Sequence, residues 1–208
     1  MNEITKWDIF FFIPNLIGYL RLLLIGVSWY YIEYSSFFIP VYMINVILDG
    51  IDGWAARKFN QISDFGAVLD VIVDLIGRGM VWCYISKFGY AVIAFEWIVF
   101  IGNTERASGK QWKSSFEKVP NFVSLVMNKG FKTPLGAVAI IGLHILPPWL
   151  YMLKMNVLSV SIMRNLHFIT ILLVMARMVC AVVELWCFYK YMQFLLHKSP
   201  HNHSNRTQ

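Results

Sequence analysis

The sequence predicts an all-α polytopic membrane protein: six transmembrane helices preceded by an N-terminal interfacial helix. Three observations carry that expectation. Of the 208 residues, 58% are hydrophobic and only 14% are charged, well below the roughly 25% charged residues usual in water-soluble domains. Mean hydropathy is +0.56. Several apolar stretches approach or exceed the roughly 20 residues a helix needs to cross a bilayer, and none alternates with the period of two that marks a strand.

Taken in order, Met1 to Phe12 mix Glu3, Lys6 and Asp8 with Trp7 and a run of Phe, and no small-residue cleavage site follows. This pattern reads as a helix lying in the membrane interface, not as a signal peptide. The spans then run Pro14–Tyr31, Phe38–Arg57, Asp64–Ser86, Tyr90–Asn103, Pro134–Leu153 and His167–Met192. Between the second and third, Asn60 to Asp64 are polar enough for a tight turn, with Ser63 or Asp64 capping the helix that follows. The longest polar connection is Thr104 to Thr133, rich in Lys and Ser. Residues 1–196 thus form one membrane domain and residues 197–208 a polar tail.

An even number of spans puts both termini on one side, and the basic residues say which. Lys6, Arg57, Lys58, Arg106, Lys110, Lys113, Lys118, Lys129, Lys132, Lys190, Lys198 and Arg206 fall on the side of the termini, whereas the opposite connections hold Lys87, Lys154 and Arg164. The termini are expected in the cytosol. The formal charge of +6 is accounted for by topology and attraction to anionic headgroups, and the pattern speaks against a nucleic-acid partner. Asn202-His203-Ser204 and Asn205-Arg206-Thr207 match the glycosylation acceptor pattern, but in a cytosolic tail they are chance matches. Cys83, Cys180 and Cys187 lie in apolar spans without a CxxC pair and read as buried apolar cysteines.

Four carboxylates stand where carboxylates are costly. Asp49, Asp52, Asp70 and Asp74 fall within apolar segments, where insertion costs about 2.5–3.5 kcal/mol for each Asp near a helix centre. Asp49 and Asp52 are three apart and Asp70 and Asp74 four apart, so each pair shares a helical face. Two such faces opposed make a four-carboxylate pocket, whose hard oxygens suit magnesium or manganese better than zinc. Gly53 and Ala56 share the face of the first pair and Gly66 precedes Asp70 by one turn, leaving room for a ligand. Arg57 ends the second span, where it either forks onto a phosphate or snorkels as a topology anchor. Arg177 and Glu184, seven apart, suggest a charge pair in the last span. His144, alone in an apolar span, reads as a packed or hydrogen-bonded residue.

Read together, Asp49-x-x-Asp52-Gly53-x-x-Ala56-Arg57, eight residues, then Gly66-x-x-x-Asp70-x-x-x-Asp74 resembles the signature of the CDP-alcohol phosphatidyltransferases at every fixed position. Ile13-Pro14-Asn15-Leu16-Ile17-Gly18-Tyr19-Leu20-Arg21 is similar to the N-terminal entry of the eukaryotic phosphatidylinositol synthases, as are Ala55-Ala56-Arg57, Asn60-Gln61 and Phe65-Gly66-Ala67. The resemblance implies transfer of a phosphatidyl group from CDP-diacylglycerol to a small alcohol, myo-inositol first among them, giving phosphatidylinositol and CMP. It implies two Mg2+ or Mn2+ ions held by Asp49, Asp52, Asp70 and Asp74, with Asp74 also accepting the proton of the incoming hydroxyl. Gly53, Arg57 and Ser63 match positions that contact the CDP-diacylglycerol head. A homodimer among the lipids of the endoplasmic reticulum membrane is implied as well.

The chain also departs from the synthase pattern. Asp64 stands where those enzymes carry Arg, Val73 and Leu75 replace the Thr and Arg that flank the last Asp, and a Ser-His-Trp element of the fourth span has no counterpart. Arg78, one turn after Asp74, either substitutes as an acceptor or phosphate contact or forms an ion pair with Asp74 or Glu96. Lys132 either binds the acceptor or is ordinary cytosolic-side charge. The departures leave two further readings: the same reaction on another alcohol, or a non-catalytic paralogue that binds CDP-diacylglycerol or metal as a lipid sensor or scaffold.

Overall fold

The computed structural model describes the backbone of residues 6–108, 119–157 and 160–198. Among them all regular structure is helical: α1 Lys6–Phe10, α2 Ile13–Tyr30, α3 Ser35–Lys58, α4 Asp64–Ile85, α5 Gly89–Ser108, α6 Asn121–Phe131, α7 Pro134–Lys154 and α8 Val160–Lys198. The tail from residue 199 onward, with both glycosylation-like triplets, lies outside the described residues.

Four of the described helical segments are long and apolar enough to cross a membrane: α2, α3, α7 and His167–His197 of α8. The third and fourth expected spans correspond to α4 and α5, with 22 and 20 residues. They fall short in composition because Asp70, Asp74 and Arg78 interrupt the apolar run of α4, and Glu96, Glu105 and Arg106 that of α5.

Two expectations are corrected. The stretch from Thr104 to Thr133 is not one polar connection: α5 continues to Ser108, and α6 follows as an 11-residue helix. Too short to register as a span, α6 is amphipathic and buries Val123 and Val126, three residues apart on one face. The last helix begins at Val160 and ends at Lys198, extending by polar turns beyond the apolar core of His167–Met192. Cys83 is exposed, against the expectation of burial, while Cys180 and Cys187 are buried; none of the three is in a disulfide.

The chain forms two compact units, Met1–Tyr84 and Ile85–Gln208. In the first, α2 packs along α3, and α4 approaches α2 at two glycines. A β-carbon at Gly18 would lie 3.0 Å from a Leu69 methyl, and one at Gly77 would lie 3.4 Å from Ile25. The turn from α3 into α4 closes as a Schellman motif: Gln61 N–H donates to Ala56 O at 2.9 Å, and Asn60 takes the left-handed conformation, φ 55°, that Asn tolerates better than most residues. At the N-terminus α1 is tied to α2 by Asn15 Nδ2 donating to Ile9 O at 2.6 Å and by Tyr19 OH donating to Phe10 O at 3.2 Å.

In the second unit α7 and α8 are the main packed pair, with α5 against α8 and α6 against both. Val99, Val123, Val126, Ala139, Cys180, Val183 and Cys187 form its core. Gly142 lets α7 touch the backbone of α8: a β-carbon there would collide with Arg177 N and the Ala176 carbonyl carbon.

Candidate functional site

The two aspartate pairs predicted to share helical faces do face each other in the first unit, and they close around a fifth residue. Arg21, from α2, places Nη1 2.7 Å from both Asp52 Oδ2 and Asp70 Oδ1, and Nη2 2.6 Å from both Asp49 Oδ1 and Asp74 Oδ1. One guanidinium therefore bridges carboxylates from α3 and α4. Its side chain is 1% exposed and that of Asp52 9%, whereas Asp49 and Asp70 are 37% and 47% exposed. The cluster has a closed floor, with Arg21 in it, and an open mouth.

Arg21 is the residue that sequence reasoning missed as a site component. It stood in the Pro-Asn entry stretch, but the signal was there: an arginine inside an apolar helix is a functional-site candidate by default, because it needs acidic partners. Asn15 was likewise quoted only for resemblance, yet it is 1% exposed and lines the cavity described below.

The donor set suits a hard divalent cation. Carboxylate oxygens of Asp49, Asp70 and Asp74 lie within 4.8 Å of one another, and oxygen-only ligands favour magnesium, calcium or manganese. Arg78, 6% exposed, adds Nη1 at 3.4 Å from Asp74 Oδ2, so the ion pair expected for it is formed with Asp74. Four carboxylates against two guanidiniums leave negative charge in excess, which is the electrostatic condition for taking up a cation.

Beside the cluster lies a cavity of about 290 Å³ whose lining includes Asp52, Gly53, Arg57, Ser63, Gly66 and Asp70. It depends on missing side chains. A β-carbon at Gly66 would sit 2.7 Å from Asn15 Oδ1 and 3.1 Å from Ser63 Oγ, and one at Gly53 would sit 3.5 Å from an Arg57 guanidinium nitrogen. Arg57 is exposed at the end of α3. Ser63 Oγ accepts from Gly66 N–H at 3.0 Å, so the capping role expected of it is real, and it lines the cavity as well. Gln61 Oε1 accepts from Ile13 N–H at 2.9 Å, fixing the turn to the start of α2.

The departures from the synthase pattern land in different places. Asp64 is exposed in the first turn of α4, whereas Val73 and Leu75 are buried at 0% and 2% exposure, as packed residues. Lys132 belongs to the second unit, where it is exposed at the C-terminal end of α6. In that unit the predicted Arg177–Glu184 pair is present at 2.9 Å, and it is joined by Glu96 at 3.1 Å. His144 is hydrogen-bonded locally, Nδ1 lying 3.1 Å from Ile140 O.

Similarity to known proteins identifies the family. The sequence profile described as CDP-alcohol phosphatidyltransferase matches residues 11–194. The CDP-diacylglycerol--inositol 3-phosphatidyltransferase of Schizosaccharomyces pombe is 38% identical over 100 residues, 47% of this chain and 42% of the relative. The Drosophila melanogaster protein of that name is 40% identical over 72 residues, 34% of this chain and 32% of the relative. The Rattus norvegicus one is 43% identical over 68 residues, 32% of each. The matched stretch thus spans 32–42% of the length of these relatives. No solved structure matches.

Proposed function

Because this chain belongs to the CDP-alcohol phosphatidyltransferase family, we propose that it transfers a phosphatidyl group from CDP-diacylglycerol to myo-inositol, giving phosphatidylinositol and CMP. The observation that carries this reading is the pairing of four aspartates from two facing helices with a glycine-walled cavity at their side. The names of the relatives favour inositol as the acceptor, and the burial of Val73 and Leu75 makes two of the departures packing changes.

In this reading Asp49, Asp52, Asp70 and Asp74 would hold two Mg2+ or Mn2+ ions, whose contribution would be to polarise the diphosphate and stabilise the departing CMP. Gly53, Ser63 and Gly66 leave the space in which the CDP head lies, and Arg57 at the rim forks onto its phosphate. Asp74 takes the proton of the inositol hydroxyl as general base. The hydroxyl oxygen bonds to the phosphorus that carries diacylglycerol, the bond from that phosphorus to the CMP oxygen breaks, and CMP leaves with the electron pair. Arg78, paired with Asp74, keeps it aimed. Lys132 is assigned to acceptor binding on its place in the sequence alone.

The proposed setting is the endoplasmic reticulum membrane, with α2, α3, α4, α5, α7 and α8 as six spans, α1 in the interface and both termini in the cytosol. Composition and the distribution of Lys and Arg support the topology. Residues 1–196 act as the membrane domain and 197–208 as its tail, and a homodimer follows from the family.

The test is CMP release from CDP-diacylglycerol by the purified chain in detergent with magnesium, with and without myo-inositol, and with Asp74→Asn as control. Inositol-dependent release that the mutant lacks is the expected result. Release with a different alcohol would reassign the acceptor, and donor binding without release to any alcohol would leave a non-catalytic lipid sensor.

A further inference from the structure

The Arg21 guanidinium lies where the cluster's ligands converge, and its own bonding is directed to them. Its terminal nitrogens take one oxygen from each of the four aspartates at 2.6–2.7 Å. Its buried Nε has no hydrogen-bond partner among the described residues. A buried donor left unsatisfied costs about 1–3 kcal/mol, so the side chain is held by the carboxylates and not by a hydrogen-bond network of its own. Without it, four anionic side chains on α3 and α4 would lose the guanidinium they share, Arg78 remaining beside Asp74.

Resting on the reading of these aspartates as metal ligands, we propose that Arg21 is a positioning residue that serves as the cluster's resident counter-cation. It holds the aspartates of α3 and α4 together while no metal is bound, and it opposes divalent cations when they enter. Two physical reasons support the opposition. Arg21 draws on the same four carboxylates a cation needs, at the longer spacing of N–H···O contacts, whereas magnesium requires oxygens near 2.0–2.1 Å in near-octahedral array. A guanidinium a few ångströms from a divalent ion also repels it, by several kcal/mol even at an effective dielectric of about 20.

The closed floor and open mouth set the geometry. Arg21 comes from the buried side, while Asp49 and Asp70 present their exposed faces on the other. A cation therefore enters without displacing α2, and the carboxylates are shared between it and the guanidinium.

The charge count gives the arrangement a use. Four carboxylates and the two negative charges of a diphosphate diester are balanced by two divalent ions together with the guanidiniums of Arg21 and Arg78. Metals alone leave the site positive, so the second ion is bound well only when the diphosphate accompanies it. Arg21 thus makes metal loading weak and reversible until the donor arrives.

The test uses the full chain in detergent, with Mn2+ alone as the probe. Thermal unfolding is followed in EDTA and in saturating Mn2+, and free Mn2+ is titrated by electron paramagnetic resonance. For Arg21→Met the expected results are a lower midpoint in EDTA, a larger Mn2+-induced rise than in the wild type, and Mn2+ binding at least about tenfold tighter. Arg21→Lys, which keeps a charge but cannot fork across four carboxylates, should show a Mn2+-induced rise between the two; this keeps the inference testable if Arg21→Met does not fold in EDTA. Equal Mn2+-induced rises in wild type and both variants, or weaker Mn2+ binding by the variants, would overturn the role of Arg21 and leave the metal site standing. No Mn2+ binding or stabilisation in the wild type would overturn both.

Discussion

Each unit of the molecule contains a buried arginine that gathers carboxylates from its helices, and the two clusters are built to opposite ends. Arg177 meets Glu96 and Glu184 in a setting closed to solvent, with the acids only 3% and 12% exposed. Cys180 Sγ completes it by donating to Glu184 at 3.7 Å. Arg21 meets four acids, two of them more than a third exposed. A closed group with two acids to one guanidinium acts as a clasp between α5 and α8. The open group holds the same two acids per guanidinium once Arg78 is counted, but it presents two of them at an opening and acts as a receptacle. Buried charge by itself thus does not mark a site; excess negative charge beside an opening does.

That contrast can be broken most directly at Asp74. Asp74→Asn is expected to lower CMP release by about 10²–10⁴-fold, the range over which a positioned general base contributes. It should lower the metal-free unfolding midpoint less than a comparable change in the other cluster, because three carboxylates remain on Arg21. The corresponding change in the other cluster should do the reverse. Arg177→Met strands Glu96 and Glu184 in the bundle, and breaking such a buried pair costs about 3–5 kcal/mol. Unfolding in denaturant should show that loss, while turnover per folded molecule stays near wild type. A variant at Arg177 that keeps its stability but loses turnover would erase the distinction between clasp and receptacle.

Much of the receptacle was legible because chemistry and helical geometry agree there. Aspartates at spacings of three and four in apolar segments can be satisfied only by sharing a face, and small residues on that face announce a ligand. What escaped were features whose signal lies in partners and not in period. Arg21 looked like part of an entry sequence because its partners lie 28 to 53 residues further along the chain. Glu96 became a partner of Arg177 only once α5 and α8 were packed, since no local spacing links residues 81 apart. Helix α6 was overlooked because a search for membrane-length apolar runs passes over an 11-residue amphipathic helix. The polar ends of α8 were lost for the same reason.

Glycines sharpen the comparison at smaller cost. Gly142 and Gly66 each sit where a β-carbon meets a neighbour, but the neighbours differ. At Gly142 the obstacle is backbone of α8, which cannot rotate away, so Gly142→Ala should destabilise the second unit by about 1–3 kcal/mol, as overpacking does. At Gly66 the obstacles are the side-chain oxygens of Asn15 and Ser63, which can shift, at the expense of the hydrogen bonds Asn15 makes to Ile9 O and Ser63 accepts from Gly66 N–H. Gly66→Ala should therefore lower stability less than Gly142→Ala and raise KM for CDP-diacylglycerol several-fold. Steady-state CMP release at varied donor concentration separates the two outcomes.

The smallest expected effect tests whether the face assignment within the motif is right. Gly50 sits between Asp49 and Asp52 in sequence, yet a β-carbon there would meet nothing within 4 Å, whereas one at Gly53 would face the Arg57 guanidinium at 3.5 Å. Gly50 points away from the receptacle, so Gly50→Ala should leave CMP release unchanged and stabilise α3 by no more than about 1 kcal/mol, the difference in helix propensity. Melting and turnover measured on one preparation check both parts. A loss of turnover would mean that a ligand or a neighbouring helix approaches α3 on the Gly50 face during the reaction, and the receptacle would then have to include that face as well.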